Sequence, residues 1–133
     1  MTALELINNI FAKWSEAIKQ TPVKDNYSME NSTVVAELPA ATLYFQGMPT
    51  SDSDLIGTEA SITPTVQVDV YTKGQRALTQ AYEIDEVSHG ILNGVYGFRR
   101  SYGPELIQST DPSIKRLTSR YTRLFGLGDK LPE

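Results

Sequence analysis

A single histidine, His89, offers the widest range of catalytic and metal-binding chemistry in this chain of 133 residues. Asp85 lies four residues before it and Glu86 three, so on a helix both carboxylates would be about one turn from the imidazole. Such a pair could supply part of a metal site. Zinc sites usually take three or four protein ligands, and the sequence has no second histidine and no cysteine. The sequence therefore predicts a pair on a helix surface and no metal site.

Signatures of catalysis and cofactor binding are missing from the sequence. No serine lies in a Gly-x-Ser-x-Gly turn, and neither a phosphate-binding Gly-x-x-x-x-Gly-Lys nor a dinucleotide-binding Gly-x-Gly-x-x-Gly occurs. The helical carboxylates Glu83, Asp85 and Glu86 are predicted to face water, where nothing would raise a pKa into the range of acid–base catalysis. We expect no catalytic residue, no cofactor and no enzymatic activity. A small metal-dependent enzyme built on His89 and scattered carboxylates is the alternative of another class.

Charge is unevenly distributed along the chain. The formal net charge of −4 argues against a general nucleic-acid binder, which needs surplus cations to displace counterions from phosphate. Most carboxylates lie in residues 1–60 and in the second predicted helix, whereas residues 99–123 hold a basic cluster. This segregation predicts a basic side and an acidic side, which allows head-to-tail contacts between copies of the chain.

The arginines of the basic cluster are the most informative polar residues. Arg116 and Arg120 fall on one face of a predicted strand and Arg123 on the other, with Arg99 and Arg100 on the paired strand. They either protect an exposed sheet edge against aggregation or form a contact surface between subunits. In the second interpretation the acidic partners come from a polar loop of a neighbouring copy. The candidate subunit or tube interface is Asp52, Asp54, Glu59, Arg99, Arg100, Arg116, Arg120 and Arg123.

Hydrophobic periodicity predicts the elements that position these residues. Val66, Val68 and Val70 alternate with polar residues, which is typical of a strand with one buried face. After Gly74 the apolar spacing becomes helical over residues 75–95, and the pair Asn93-Gly94 is expected to end that helix. The predicted buried stripe of this helix is Ala77, Leu78, Ala81, Ile84, Ser88, Ile91, Leu92 and Val95.

The first helix is predicted to begin at a Thr2 cap with Glu5 at the third following position. Its wide apolar stripe is Leu4, Ile7, Phe11, Trp14 and Ile18, flanked by Ala3, Leu6, Ile10 and Ala17. Charged and amide residues interrupt this stretch, so neither a signal peptide nor a membrane span is expected. The helix is predicted to end near Gln20, before Pro22.

Further strands are predicted over residues 42–46, 97–103 with a possible continuation to 107, and 113–125, with an exposed loop over residues 50–58. The element order is helix, strand, strand, helix, strand, strand. It predicts one α+β domain over residues 1–133, with a mainly antiparallel four-stranded sheet and two helices packed on one face.

The assembled layout resembles that of the tail terminator, or tail completion, proteins of tailed bacteriophages and prophages. The resemblance lies in the amphipathic first helix, Leu38-Pro39-Ala40-Ala41 before a strand ending at Gly47, a variable loop, and Val66-x-Val68-x-Val70. The helix running into Val95-Tyr96-Gly97-Phe98 and an arginine-rich last strand complete it. Nearly the whole chain is covered, and other neck proteins have similar layouts.

The resemblance implies a structural virion protein without an active site. Such proteins form a ring, usually of six copies, that caps the head-proximal end of the tail tube, stops its polymerisation and joins it to the head connector. The implied partners are other copies of the chain, the tail tube protein, a head–tail connector or neck protein, and the sheath protein if the tail contracts. DNA passes through the lumen as cargo, and no membrane is involved. The implied location is the tail–neck region of the virion, and the host cytoplasm during assembly.

Overall fold

The computed structural model describes residues 2–29, 38–48, 50–53, 59–108, 110–126 and 128–132, with residues 50–53 and 59–60 described by their backbone alone. The architecture is α+β, as predicted. In chain order the elements are helix α1 (Ala3–Ile18), strands β1 (Tyr27–Ser28), β2 (Ala40–Gly47), β3 (Thr50–Ser53), β4 (Glu59–Ile62) and β5 (Thr65–Lys73), helix α2 (Ala77–His89), a π-helix (Gly90–Val95), and strands β6 (Arg99–Ile107), β7 (Ile114–Thr122) and β8 (Phe125–Gly126).

The main sheet has five strands in the order β1-β2-β5-β7-β6. The four predicted strands correspond to β2, β5, β6 and β7, which pair antiparallel. The predicted count of four is wrong, because the two-residue β1 adds a fifth strand in parallel with β2. Such a short strand has no periodicity of its own, and only its neighbour defines it.

A second sheet has three strands in the order β3-β4-β8. It corrects the first part of the predicted loop over residues 50–58, because residues 50–53 form β3, while residues 54–58 lie outside the described residues. β3 and β4 pair antiparallel, and β8 pairs with β4. The last predicted strand is therefore two strands: β7 ends at Thr122, and Phe125 pairs with Ile62 in the other sheet. Polar sequence alone does not exclude strands, because pairing partners outweigh weak intrinsic preference.

Helix α1 begins as predicted, with the Glu5 backbone N–H donating to Thr2 Oγ1 over 3.1 Å. Its buried face is Leu6, Ile10, Trp14 and Ile18. The predicted stripe is rotated from this face, since Leu4 is 66% exposed and Phe11 packs only at the margin of the core. Apolar residues surround much of this helix, so periodicity could not define the angle at which it meets the sheet.

Helix α2 buries Ala77, Ala81, Ile84, Asp85 and Ser88. The predicted stripe is correct for four of these residues and wrong for Leu78 and Val95, which are about half exposed. Asp85 was predicted to face water, yet only 3% of it is exposed. The helix continues as a π-helix to Val95, past the predicted end at Asn93-Gly94. The left-handed conformation expected at that pair is found at Gly97, which has a φ of +73°.

Alternating side chains divide the main sheet into two faces. One face packs in a single cluster with the buried residues of both helices, and its members are Ala41, Leu43, Val66, Val68, Val70, Leu117 and Tyr121. Both helices thus lie on the same side of the sheet, as predicted. The alternate residues of β2, β5 and β7 point to the other side, which α1 and α2 leave uncovered.

Candidate functional site

The predicted interface residues lie in several environments. Asp54 is outside the described residues, and Asp52 and Glu59 lie in β3 and β4, where only the backbone is described. Arg99 and Arg100 begin β6, which pairs with the β7 strand of Arg116 and Arg120 as predicted. Arg123 follows the end of β7. Their role in an interface stays a prediction.

Two of these arginines are bound inside the fold. Arg100 Nη2 donates to Asp85 Oδ2 over 2.9 Å on the helix side of the sheet. Arg123 Nη2 donates to Asp129 Oδ1 over 2.9 Å, its Nη1 donates to the Tyr96 carbonyl, and its guanidinium lies 4.2 Å from the Phe125 ring centroid. Both guanidinium groups therefore hold parts of this chain together.

Arg116 and Arg120 lie on the uncovered side of the main sheet. We call this surface the polar sheet face. It consists of Thr42, Tyr44, Gln67, Asp69, Tyr71, Tyr102, Arg116, Thr118 and Arg120, which the strand register places on one side. Four of its members, Thr42, Gln67, Asp69 and Thr118, are buried although none of the described helices covers them.

Asp69 is the centre of the polar sheet face and is fully buried. Its Oδ1 accepts from Thr118 Oγ1 over 2.5 Å, and its Oδ2 accepts from Gln67 Nε2 over 3.2 Å. Arg116 Nη2 approaches Oδ2 to 3.5 Å as an ion pair. A buried carboxylate is tolerated only when it is bonded in this way, so Asp69 fixes the side chains around it.

Gln67 extends the network of Asp69 to Arg120. Its Oε1 accepts from Arg120 Nε and from Gln46 Nε2, each over 2.9 Å. With Nε2 bonded to Asp69, the amide links the buried carboxylate to an exposed guanidinium. The position of Arg120 is thus set by groups beneath it.

Tyrosines flank both arginines of the polar sheet face. The Arg116 guanidinium lies 5.8 Å from the Tyr71 ring centroid, and that of Arg120 lies 4.9 Å from the Tyr102 ring. Both distances fall in the cation–π range. Burial raises the pKa of Tyr44 and Tyr71, and the charge of Asp69 raises it further. The phenols stay neutral, and the arginines carry the accessible charge.

Two buried polar atoms have no hydrogen-bond partner among the described residues, and both belong to the polar sheet face. They are Thr42 Oγ1 and Arg116 Nε. Unpaired buried polar groups are uncommon in folded proteins because each costs about 1–3 kcal/mol. In the described part of the chain, both of these atoms therefore lie on this one side of the sheet.

A second polar group, which we call the Asp85 cluster, lies between α2 and the sheet. It consists of Asp85, His89, Arg100, Ser119 and Tyr121. Asp85 Oδ1 accepts from Ser119 Oγ over 2.9 Å, opposite its ion pair with Arg100. Arg100 Nε and Nη2 both donate to the Tyr121 hydroxyl, over 3.1 and 2.6 Å.

His89 completes the Asp85 cluster, with Nδ1 3.1 Å from the Tyr121 oxygen. Because Arg100 can only donate, the Tyr121 proton is free to point at Nδ1, and the imidazole then accepts in its neutral form. Burial and the charge of Arg100 lower the pKa of His89, and Asp85 partly opposes the shift. His89 contacts Tyr121, and the predicted surface pairing with a carboxylate is replaced by this bond.

We expect stability to fall as the pH falls through 6.5, the ordinary pKa of histidine. The folded protein has the lower His89 pKa, so the unfolded chain binds more protons in this range and the free energy of unfolding decreases on acidification. Urea unfolding at pH values on either side of 6.5 measures the change. His89→Gln is the control, because it cannot titrate. An equal pH slope in both proteins would contradict the assignment.

In the described ranges, no group of three or more histidine, cysteine, aspartate or glutamate residues could hold a metal ion. No described helix is long and apolar enough to cross a membrane. The Asp85 cluster has the residue types of an acid–base site, but its groups bond to one another within the core. The polar sheet face, in contrast, presents its arginines and tyrosines outwards and is the candidate functional site.

Comparison with known proteins adds no assignment. No protein-family model matches the chain, and none of the curated proteins matches it significantly.

Proposed function

We propose that this chain is a structural virion protein of a tailed phage or prophage-derived particle. Copies of it form a ring at the head-proximal end of the tail tube, end tube polymerisation and join the tube to the head connector. The subunits act by binding and perform no reaction. The family layout described above and the α+β architecture support this function.

The polar sheet face is the observation that carries the proposal. Arginine and tyrosine are enriched at protein interfaces, and here they stand on a sheet side that neither helix covers. Asp69 and Gln67 hold Arg116 and Arg120 before any partner arrives. A surface ordered in advance loses less side-chain entropy on binding, which favours a role in assembly.

The proposed partners follow from this position in the particle. They are other copies of the chain, the tail tube protein, a head–tail connector or neck protein, and the sheath protein if the tail contracts. DNA passes through the ring as cargo. The proposed location is the neck of the virion, with the bacterial cytoplasm as the place of assembly.

Charge reversal at Arg120 tests the proposal. Arg120 is exposed, so Arg120→Glu is expected to leave folding nearly intact while weakening assembly with the tail tube by about tenfold or more. Co-sedimentation with the tube and native mass spectrometry measure the loss.

Lys130→Glu is the matched control, because it makes the same change of charge at an exposed residue of the carboxyl-terminal tail. It should assemble as the unmodified chain does. Normal tube binding and normal oligomeric mass in the Arg120→Glu variant would refute the proposed role of the polar sheet face.

A further inference from the structure

The terminal nitrogens of Arg120, an exposed residue of the polar sheet face, have no hydrogen-bond partner in the described part of the chain. Arg120 uses Nε for Gln67, and its Nη1 and Nη2 make no hydrogen bond to a described residue, although the guanidinium stacks near the Tyr102 ring. A guanidinium whose two terminal nitrogens are free matches a carboxylate, which can accept both. The face is therefore prepared for an acidic partner.

The charge balance of the chain indicates where such a partner can come from. The register places four cations on this side of the sheet, against two carboxylates. The cations are Lys73, Arg99, Arg116 and Arg120, and the carboxylates are Asp69 and Glu105. The side has a surplus of two positive charges, so the rest of a chain with net charge −4 carries −6. Another copy of the same chain is thus electrostatically complementary to it.

The outer surface of α2 has the matching composition. Leu78, Tyr82 and Val87 are 46%, 41% and 37% exposed, and the exposed Glu83 and Glu86 lie among them. We call these five residues the outer face of α2. An exposed tyrosine and two aliphatic side chains can pack on the tyrosines of the polar sheet face, while Glu86 can reach an arginine. Arg76 already pairs with Glu83 over 3.3 Å, which leaves Glu86 as the better partner.

We infer that the polar sheet face of one copy receives the outer face of α2 of the next copy. The two faces lie on opposite sides of the same sheet, because α2 packs on the side that carries Val68 and Leu117. Each subunit then uses both faces in a head-to-tail contact, and such contacts close into a ring when the rotation between subunits fits. The inference rests on the proposed ring and assigns the surfaces that build it.

Reciprocal photo-crosslinking of the 133-residue chain tests this contact without any other protein. A benzophenone amino acid replaces Tyr102 in one variant and Tyr82 in a second. The Tyr102 probe should capture the α2 peptide of another copy, and the Tyr82 probe should capture peptides of β5 or β7. A probe at Leu4, which is 66% exposed on α1, is the control and should give at least about tenfold less dimer.

A charge exchange provides a second test, measured by the same crosslinking yield. Arg120→Glu and Glu86→Arg alone should each reduce the crosslinking yield severalfold, and the double variant should restore it. Capture of any other segment by the Tyr102 probe, or a yield equal to that of the Leu4 control, would overturn the inference. So would failure of the double variant to recover. If crosslinking fails while the chain still caps tail tubes, only this inference fails, whereas crosslinking without tube binding would count against the proposed function alone.

Discussion

Asp85→Ala is expected to lower the free energy of unfolding by about 3–5 kcal/mol, the cost of removing one member of a buried ion pair. The Asp85 side chain is 4% exposed and that of Arg100 is 22% exposed, so solvent screens the pair weakly. Without the carboxylate, Tyr121 is the one hydrogen-bond partner that Arg100 keeps among the described residues, and the Ser119 hydroxyl loses its acceptor. Urea unfolding at neutral pH measures the loss.

Glu86→Ala is the matched control, since it removes the exposed carboxylate of the next residue in the same helix. Its effect should stay within about 0.5 kcal/mol. Equal unfolding free energies for the Asp85 and Glu86 variants would show that the Asp85 cluster does not stabilise the packing of α2 on the sheet.

Asp69→Ala is expected to cost about 2–3 kcal/mol of stability, because the buried donors of Thr118 and Gln67 lose their acceptor. The partly exposed Arg116 adds less, since water screens it. We expect a second effect, on assembly. Arg116 loses its ion-pair partner, and Gln67, which holds Arg120, loses the carboxylate that fixes its amide. Asp69 is thus a positioning residue for the polar sheet face.

Asp69→Asn separates these two effects. The amide nearly preserves volume and can still accept from Thr118, but it no longer carries the charge that holds Arg116. Its stability loss should be smaller than that of Asp69→Ala, while the Tyr102 crosslinking yield should still fall. Glu105→Ala, on an exposed residue of the same side, is the control for both measurements. Full crosslinking by a folded Asp69→Asn variant would contradict the positioning role.

Strong local patterns predicted the frame of the fold correctly. The alternation of Val66, Val68 and Val70 placed β5, and the change to helical spacing after Gly74 placed α2 beside it. Each signal is contained within a few residues, so the sequence carries it directly. Weak segments such as β1, β3 and β4 escaped prediction, because their pairing partners define them.

Burial of the polar residues could not be predicted in the same way. Asp85 reaches the core only because Arg100 and Ser119, 15 and 34 residues away, meet it there. The alternation in β5 already placed Gln67, Asp69 and Tyr71 on one side of the strand. It could not indicate that Arg116, from another strand, would cover Asp69. Contacts between residues that are distant in the sequence decide whether a polar side chain is buried. No local sequence pattern reports such contacts.

Imaging of particles that contain this protein tests the central claim most directly. Cryo-electron microscopy of the tail neck, with the chain carrying a label, gives both its position and its copy number. The account predicts a closed ring of six copies between the end of the tail tube and the head connector. A single copy, a position on the head side of the connector, or absence from the particle would contradict it.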